Sequence, residues 1–258
     1  RRFIPGGRIL AGAGSAHGNL LNCFVQDGAP FESGSTTGVL LLARKLALVT
    51  KVGGGNGVNL DPIPAKRNYE GPLGTAWLTI AEDHADHDKV RDCTHMDLVR
   101  GQYETRGYGN LRFTERSTAP AHLSVIRIDD SVDGIWTGAA DMVNALLSGE
   151  DVLVDLSGLR AEGTPVQGSG GNSSGPGSFA VEIFENFARW ASLGGAEYAG
   201  PVATLRYVYA PTLRVIRQGG CLHPDTLVHT SRGTLRLGEL VDQHQQGWQG
   251  HMLKVATD

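Results

Sequence analysis

Cysteine is the residue type with the most reactive side chain in this sequence, and it occurs at positions 23, 93 and 221. Three cysteines so far apart do not make a disulfide framework, so we expect those that matter to act as thiols. Cys23 stands at the head of the short β-rich run Asn22–Val25. A lone cysteine at the head of a strand is usually a small core residue, and a reactive thiol is the alternative.

Glycine is concentrated in five blocks, at 6–18, 53–57, 168–177, 194–200 and 219–220. Such blocks indicate tight loops in which the backbone approaches a ligand or another strand. In the first block Arg8 directly follows Gly6 and Gly7, so exposed N–H groups stand beside a cation. This combination suits a phosphate group, and a plain turn is the alternative.

A histidine-rich stretch holds His84, His87, Cys93 and His95 at spacings that could bind zinc. Aspartates at positions 86, 88 and 92 make a solvated acidic helix face an equally good interpretation. Structural zinc sites usually show paired, closely spaced ligands with glycine knuckles, which this stretch lacks. We therefore predict no metal site.

The elements that position these residues follow from the spacing of apolar side chains. Helical spacing predicts helices over Thr37–Val52, Asp133–Leu147 and Phe179–Leu193. Strands are predicted over Asn22–Val25, Trp77–Ile80, Leu123–Ile128, Val152–Leu156 and Val202–Tyr209. Strands that alternate with helices favour the α/β class, with a mainly parallel sheet or barrel.

The chain divides at residue 220, because two strands, Thr226–Thr230 and Thr234–Leu240, are predicted around a turn beyond that point. Within 1–220, we expect residues 62–153 to be an insertion, since the part from about 66 to 116 is more polar than its surroundings.

Composition narrows the class of partner. The net charge is −4 and 40 % of the residues are apolar, so no basic surface for nucleic acid or for a membrane is expected. No run of about 18 apolar residues exists, and the start lacks a signal peptide. We expect a cytoplasmic fragment that binds small molecules.

Six motifs in order give the chain a family resemblance. They are PGGRILAGAG (5–14), NCFV (22–25), GGGNGVNL (53–60), LSGLRAEGTPV (156–166), GNSSGPGSF (171–179) and IRQGG (216–220). This series resembles the catalytic chain of ribonucleotide reductases, most closely the adenosylcobalamin-dependent ones. The stretch Ile128–Trp136 is similar to a segment of cobalamin-dependent members that carry an internal insertion.

The resemblance implies part of a ten-stranded α/β barrel in which a thiyl radical removes the 3′ hydrogen of a ribonucleotide. Cys23 matches the first cysteine of the redox pair that is oxidised when the 2′-hydroxyl leaves as water. Gly7 and Arg8 match the loop that holds the substrate phosphate, and Asn22 lies beside it. The radical cysteine, the second redox cysteine and the acid/base glutamate of the family have no match in this chain.

The resemblance also implies regulation by bound dNTP or ATP effectors. Glu32 and Ser33 fall where the family contacts the effector, although Glu32 replaces the more familiar aspartate. The family's loop that couples effector binding to the substrate site is matched by Gly168, Gly170, Gly171, Asn172, Ser173 and Ser174. Adenosylcobalamin is the implied cofactor, with a separate metal-containing radical subunit as the alternative. A thioredoxin- or glutaredoxin-like reductant is the implied protein partner, and a homodimer is compatible with the resemblance.

Residues 221–258 resemble a different kind of element, the first block of an intein with its short β fragment of a Hint-type domain. The resemblance rests on CLHPDTLVHT (221–230) and on LGEL (237–240). It implies that the Cys221 thiolate attacks the carbonyl of Gly220 and forms a thioester. The later histidine and the terminal His-Asn of inteins are absent, so we expect no splicing by this chain alone.

Two rival functions stay open beside the reductase. One is an autoprocessing precursor in which the Cys221 segment carries the function and residues 1–220 are only the sequence into which it is inserted. The other is a glycine-rich nucleotide-binding protein without radical chemistry.

Overall fold

Helices and strands alternate along much of the chain, and the strands that form the largest sheet are all parallel. The computed structural model describes residues 9, 21, 23–26, 34–99, 102–105, 110–166, 172–216, 227–230 and 233–236. The elements are, in chain order, β1 (Cys23–Gln26), α1 (Thr36–Lys51), β2 (Gly55–Val58), β3 (Ala76–Thr79), α2 (His87–His95), β4 (Met96–Val99), β5 (Gln102–Thr105), β6 (Leu111–Phe113), β7 (Ser124–Arg127), α3 (Val132–Leu147), β8 (Val152–Asp155), α4 (Gly175–Phe179), α5 (Asn186–Ser192), α6 (Ala196–Thr204), α7 (Ala210–Val215), β9 (Leu227–Thr230) and β10 (Gly233–Arg236).

The largest sheet has the strand order β6-β3-β8-β7, and each of its pairings is parallel. Strand β8 is buried along its whole length, as expected for an apolar strand between two parallel neighbours. Because parallel strands end at one edge, the loops that follow these four strands meet there. Ligands of open α/β sheets bind at this kind of edge. The predicted α/β class with mainly parallel strands is confirmed.

A second parallel pair joins β1 to β2 and places Cys23 opposite Gly55. Gly55 ends the triple-glycine loop 53–55, which directly follows α1. Gly53 has a φ of 76°, a conformation that other residues rarely adopt, so glycine lets the chain leave the helix here. The glycine block therefore works as a tight turn that returns the chain beside β1.

Helices α1 and α3 pack against each other, and α3 also packs on β7 and β8. Each begins at a serine cap: the Ser35 hydroxyl accepts the Gly38 N–H at 3.0 Å, and the Ser131 hydroxyl accepts the Gly134 N–H at 2.9 Å. Their buried residues recur at helical spacing, as in the core positions Val39, Leu46, Ile135 and Val143. Both helices were predicted from that spacing, and both are confirmed.

Two runs of consecutive helical segments complete the core. The first runs from α4 to α5 through π-helical turns at Ala180–Glu185, so the predicted helix over Phe179–Leu193 is confirmed with an earlier start. The second runs from α6 to α7 through π-helical turns at Leu205–Tyr209. The predicted strand over Val202–Tyr209 is therefore wrong. Val202 is 78 % exposed whereas Val208 is fully buried, a helical distribution that the β-branched composition concealed.

Residues 62–153 supply β3, β6 and β7, which are three of the four strands in the largest sheet. The stretch is thus an integral part of the core, and its status as an insertion within a family stays a prediction. Near the C-terminus, β9 and β10 form an antiparallel pair at the predicted place. No helix within the described ranges is both long and apolar enough to span a lipid bilayer.

Candidate functional site

An open cleft lies at the edge where the parallel strands end. Its walls come from the end of α1, the loop after β7, the start of α3, the loop after β8, the residues before α4, the end of α4 and the end of α7. The lining residues are Lys51, Asp130, Ser131, Val132, Ile135, Arg160, Val166, Asn172, Ser173, Ser174, Phe179, Val215 and Ile216.

The charged groups of the cleft are two cations and one carboxylate, Lys51, Arg160 and Asp130. The Arg160 guanidinium donates to Asp130 through Nε at 2.6 Å, and each side chain is 33 % exposed. The pair joins the loop after β7 to the loop after β8. The cleft therefore offers a net positive, partly desolvated wall that suits an anionic group.

A short β-bridge between Pro165 and Asn172 forms one side of the cleft. Next to it, the Gly163 N–H donates to the Ser173 carbonyl at 3.0 Å, and the Ser173 N–H donates to the Thr164 carbonyl at 2.8 Å. These bonds tie residues 163–165 to residues 172–173 and form the base of the glycine-rich loop. Residues 167–171, which join these two segments in the sequence, lie outside the described ranges.

The two serines of this loop base are held by the protein backbone. The Ser174 hydroxyl donates to the Val215 carbonyl at 2.9 Å, and the Ser173 hydroxyl accepts the Gly175 N–H at 3.1 Å. Both residues are buried, whereas Asn172 is exposed. Of the three described residues predicted to contact an effector, Asn172 thus presents its side chain to solvent, and the serines fix the loop base.

Cys23 is exposed, so its interpretation as a small core residue is wrong. Its backbone lies opposite Gly55 of the triple-glycine loop. Asn56, the next residue, accepts a hydrogen bond from Gln26 at 2.9 Å and donates to the Thr50 hydroxyl at 3.0 Å, which ties β1 and β2 to the end of α1. The thiol is accessible to a reactant from solvent.

Ten predicted site residues lie outside the described ranges. They are Gly7, Arg8, Asn22, Glu32, Ser33, Gly168, Gly170, Gly171, Gly220 and Cys221. Their substrate, effector and intein roles remain predictions.

The imidazoles of His84 and His87 bind protein groups. His84 Nδ1 accepts the Asp86 N–H at 3.0 Å, which leaves Nε2 to donate to the Leu159 carbonyl at 2.8 Å. His87 Nε2 contacts Glu115 at 2.8 Å, and this hydrogen bond raises the pKa of His87 despite partial burial. Within the described ranges, no three potential metal ligands come together.

Asp86 does not lie on the solvated acidic helix face that its sequence context suggests. It precedes α2 and is 3 % exposed, so a solvated role is wrong for this residue. Sequence reasoning also gave no role to Lys51, Asp130 or Arg160. Asp130 could have been recognised as a site residue because it follows a strand closely. Arg160 could have been recognised because it lies within one of the six motifs.

Comparison with known proteins supports the fold assignment. No protein-family model matches the sequence, and no curated protein matches it. A solved structure described as a B-12 dependent (class II) ribonucleotide reductase is similar, with a TM-score of 0.52 and 14 % sequence identity. The match covers 89 % of this chain and 31 % of that protein, so the chain spans about a third of its length. At this identity, the likeness shows a fold similar to part of that reductase.

Proposed function

We propose that residues 1–220 are part of the catalytic chain of a ribonucleotide reductase that makes deoxyribonucleotides by thiyl-radical chemistry. One observation carries the proposal: the fold matches a class II reductase along 89 % of the chain. The order of the six sequence motifs also supports it, because that order is a property of the residues and not of the fold.

The cleft is the proposed nucleotide site of this chain. Arg160 and Lys51 supply positive charge for phosphate oxygens, and exposed Asn172 supplies amide groups that can donate to and accept from a base. The loop base between 163 and 173 gives the site a wall of backbone groups. The phosphate loop at Gly7 and Arg8 and the effector contacts at Glu32 and Ser33 belong to the same proposal.

Cys23 is the proposed reductant. Loss of the 2′-hydroxyl as water requires two electrons and two protons, and two cysteine thiols supply both when they join in a disulfide. Cys23 is one of them, and the second belongs to a part of the protein beyond this chain. A thioredoxin- or glutaredoxin-like protein then returns the disulfide to two thiols. The exposure of Cys23 supports this role because both the nucleotide and the reductant must reach it.

Adenosylcobalamin is the proposed cofactor of the complete protein, since the similar solved structure is described as B-12 dependent. When bound, this cofactor supplies the radical. The described cleft offers two cations, one carboxylate and an exposed amide, which suit the phosphate and base of a nucleotide. We therefore assign none of the cleft residues to this cofactor. A separate metal-containing radical subunit is the alternative.

The reductase proposal is tested with the full-length protein, by following conversion of ribonucleotides to deoxyribonucleotides with dithiol as reductant. Activity should require added adenosylcobalamin and be lost on illumination. Cys23→Ser should abolish multiple turnover with dithiol. Unimpaired turnover by this variant would remove the reductant role, and nucleotide binding without any reduction would favour the glycine-rich binding protein. Activity that depends on a second subunit would replace the cofactor assignment.

We further propose that residues 221–258 begin an intein. The antiparallel pair of β9 and β10, at the place predicted from the strand and turn pattern, is compatible with the β fragment that the intein resemblance implies. Its test is a precursor that carries the complete downstream gene. Splicing should join Gly220 to the downstream segment, and Cys221→Ala should leave the precursor intact. Splicing by the Cys221→Ala variant would exclude this mechanism.

A further inference from the structure

Asp86 is a buried carboxylate that the proposed chemistry does not use. It is 3 % exposed and lies in the loop between β3 and α2. Buried carboxylates are rare unless paired, because the protein interior solvates charge poorly. The partners of Asp86 therefore indicate why the residue is there.

Both carboxylate oxygens of Asp86 are bound. Oδ1 accepts a hydrogen bond from Lys89 Nζ at 2.9 Å, and Oδ2 accepts the backbone N–H of Glu162 at 2.7 Å. Lys89 Nζ also contacts the Glu162 carboxylate at 3.1 Å. Burial acts to raise the pKa of Asp86, but these hydrogen bonds outweigh it and the pKa lies below its ordinary value. The anion is thus the stable form.

The loop between β3 and α2 makes a second contact with the segment that contains Glu162. His84 Nε2 donates to the Leu159 carbonyl at 2.8 Å, while its Nδ1 accepts the Asp86 N–H. Leu159 and Glu162 flank Arg160, the cation of the cleft. The loop before α2 therefore holds the backbone on both sides of Arg160, through partners more than 70 residues away in sequence.

The held segment continues into the loop base. A Cβ added to Gly175, whose φ is 74°, would lie 2.7 Å from the Cβ of Glu162 and 2.9 Å from its backbone nitrogen. The backbone that Asp86 binds thus packs directly against the residue that starts α4. Ser173 also bonds to this segment, because its hydroxyl contacts the Arg160 carbonyl at 3.4 Å.

We propose that Asp86 is a positioning residue that sets the backbone of 159–163 and, through it, the cleft wall formed by Arg160, Asn172 and Ser173. The identity of the cleft's ligand as a nucleotide rests on the proposed function, whereas the positioning itself does not. Asp86 does not line the cleft and acts through the segment it holds.

The test compares Asp86→Ala, Asp86→Asn and the control Glu197→Ala in the 258-residue chain. Glu197 also accepts a backbone N–H, that of Thr36 at 2.9 Å, but it holds the start of α1 and does not line the cleft. Each variant is measured by thermal unfolding, by hydrogen exchange of the 159–163 amides, and by titration with a fluorescent dATP analogue. The exchange readout needs no ligand.

In Asp86→Ala, we expect the Glu162 amide to exchange at least about tenfold faster and the analogue to bind about tenfold more weakly. Asp86→Asn keeps an oxygen that can accept the Glu162 N–H, so it should restore most of both properties. Glu197→Ala should lower the melting temperature but leave exchange at 159–163 and affinity within about twofold of the original chain. If Asp86→Ala does not fold, Lys89→Met is used, with an expected increase in Glu162 exchange of about threefold.

Unchanged exchange at Glu162 in Asp86→Ala, or in Lys89→Met where that variant replaces it, would overturn the proposal. Equal effects of the Asp86 and Glu197 variants on exchange and affinity would do the same, because they would reveal a general loss of stability. If the original chain does not bind the analogue while exchange responds as expected, the nucleotide assignment fails and the positioning role stands.

Discussion

The ion pair between Arg160 and Asp130 yields a prediction in which two substitutions act with opposite signs. Asp130 Oδ2 lies 2.6 Å from Arg160 Nε and masks its charge from any anion in the cleft. Asp130→Asn removes the carboxylate and leaves the guanidinium available to a phosphate. Arg160→Gln removes the cation and leaves an unmasked carboxylate that repels the phosphate. The first variant should therefore bind nucleotide more tightly, and the second more weakly.

The magnitude follows from Coulomb's law. Two unit charges about 4 Å apart interact by about 1 kcal/mol in water and about 4 kcal/mol at an effective dielectric constant of about 20. Both side chains are 33 % exposed, so the lower half of this range applies. We expect each substitution to change binding by about 1 to 2 kcal/mol, which is about fivefold to thirtyfold in Kd.

A loss of folding stability would not change the affinities of the two variants in opposite directions. An ion pair this exposed contributes about 0.2 to 1 kcal/mol to stability, and both substitutions remove it. Thermal unfolding should therefore show small losses of the same sign in both variants. The assay is a titration with ATP and with dATP at low and at physiological salt, where higher salt should reduce the difference between the variants. Weaker binding by Asp130→Asn, or shifts of the same sign in both variants, would refute the assignment of Arg160 to phosphate.

Three further predictions concern stability. Trp136→Phe removes the bond from Trp136 Nε1 to the Thr212 hydroxyl at 3.1 Å and should lower the free energy of unfolding by about 1 to 3 kcal/mol, as measured by urea denaturation; a loss below about 0.5 kcal/mol would contradict it. Gly175→Ala, at a φ of 74° and with backbone 2.9 Å from the new Cβ, should destabilise by more than about 1 kcal/mol in the same assay, and a neutral result would count against this packing. The pKa of His87 is raised above its ordinary value of 6.5 by its hydrogen bond to Glu115, so its contribution to stability is complete below about pH 6.5 and is lost as pH rises through the raised value. The original chain should thus exceed His87→Gln in melting temperature most clearly near about pH 6, and an advantage that grows toward about pH 9 would reverse this sign.

Local pattern was sufficient for much of the fold. The helices α1 and α3 could be predicted because a 3.6-residue apolar repeat is a property of consecutive residues. The strands β3 and β8 could be predicted for the same kind of reason, since short apolar runs record burial between neighbours. The order of the motifs also indicated a reductase fold, which agrees with the similar solved structure.

Tertiary contacts decided the rest. The run Val202–Tyr209 has strand-like composition, yet packing against the other helices makes it helical, because burial of Val208 and Tyr209 depends on what surrounds them. Asp86 has the sequence context of a solvated acid, yet it is buried, and one of its two partners is the N–H of Glu162, 76 residues away. Arg160 and Asp130 meet at the sheet edge although 30 residues separate them. Spacing along the chain reports which face of an element a residue occupies, whereas its partner depends on how distant elements pack.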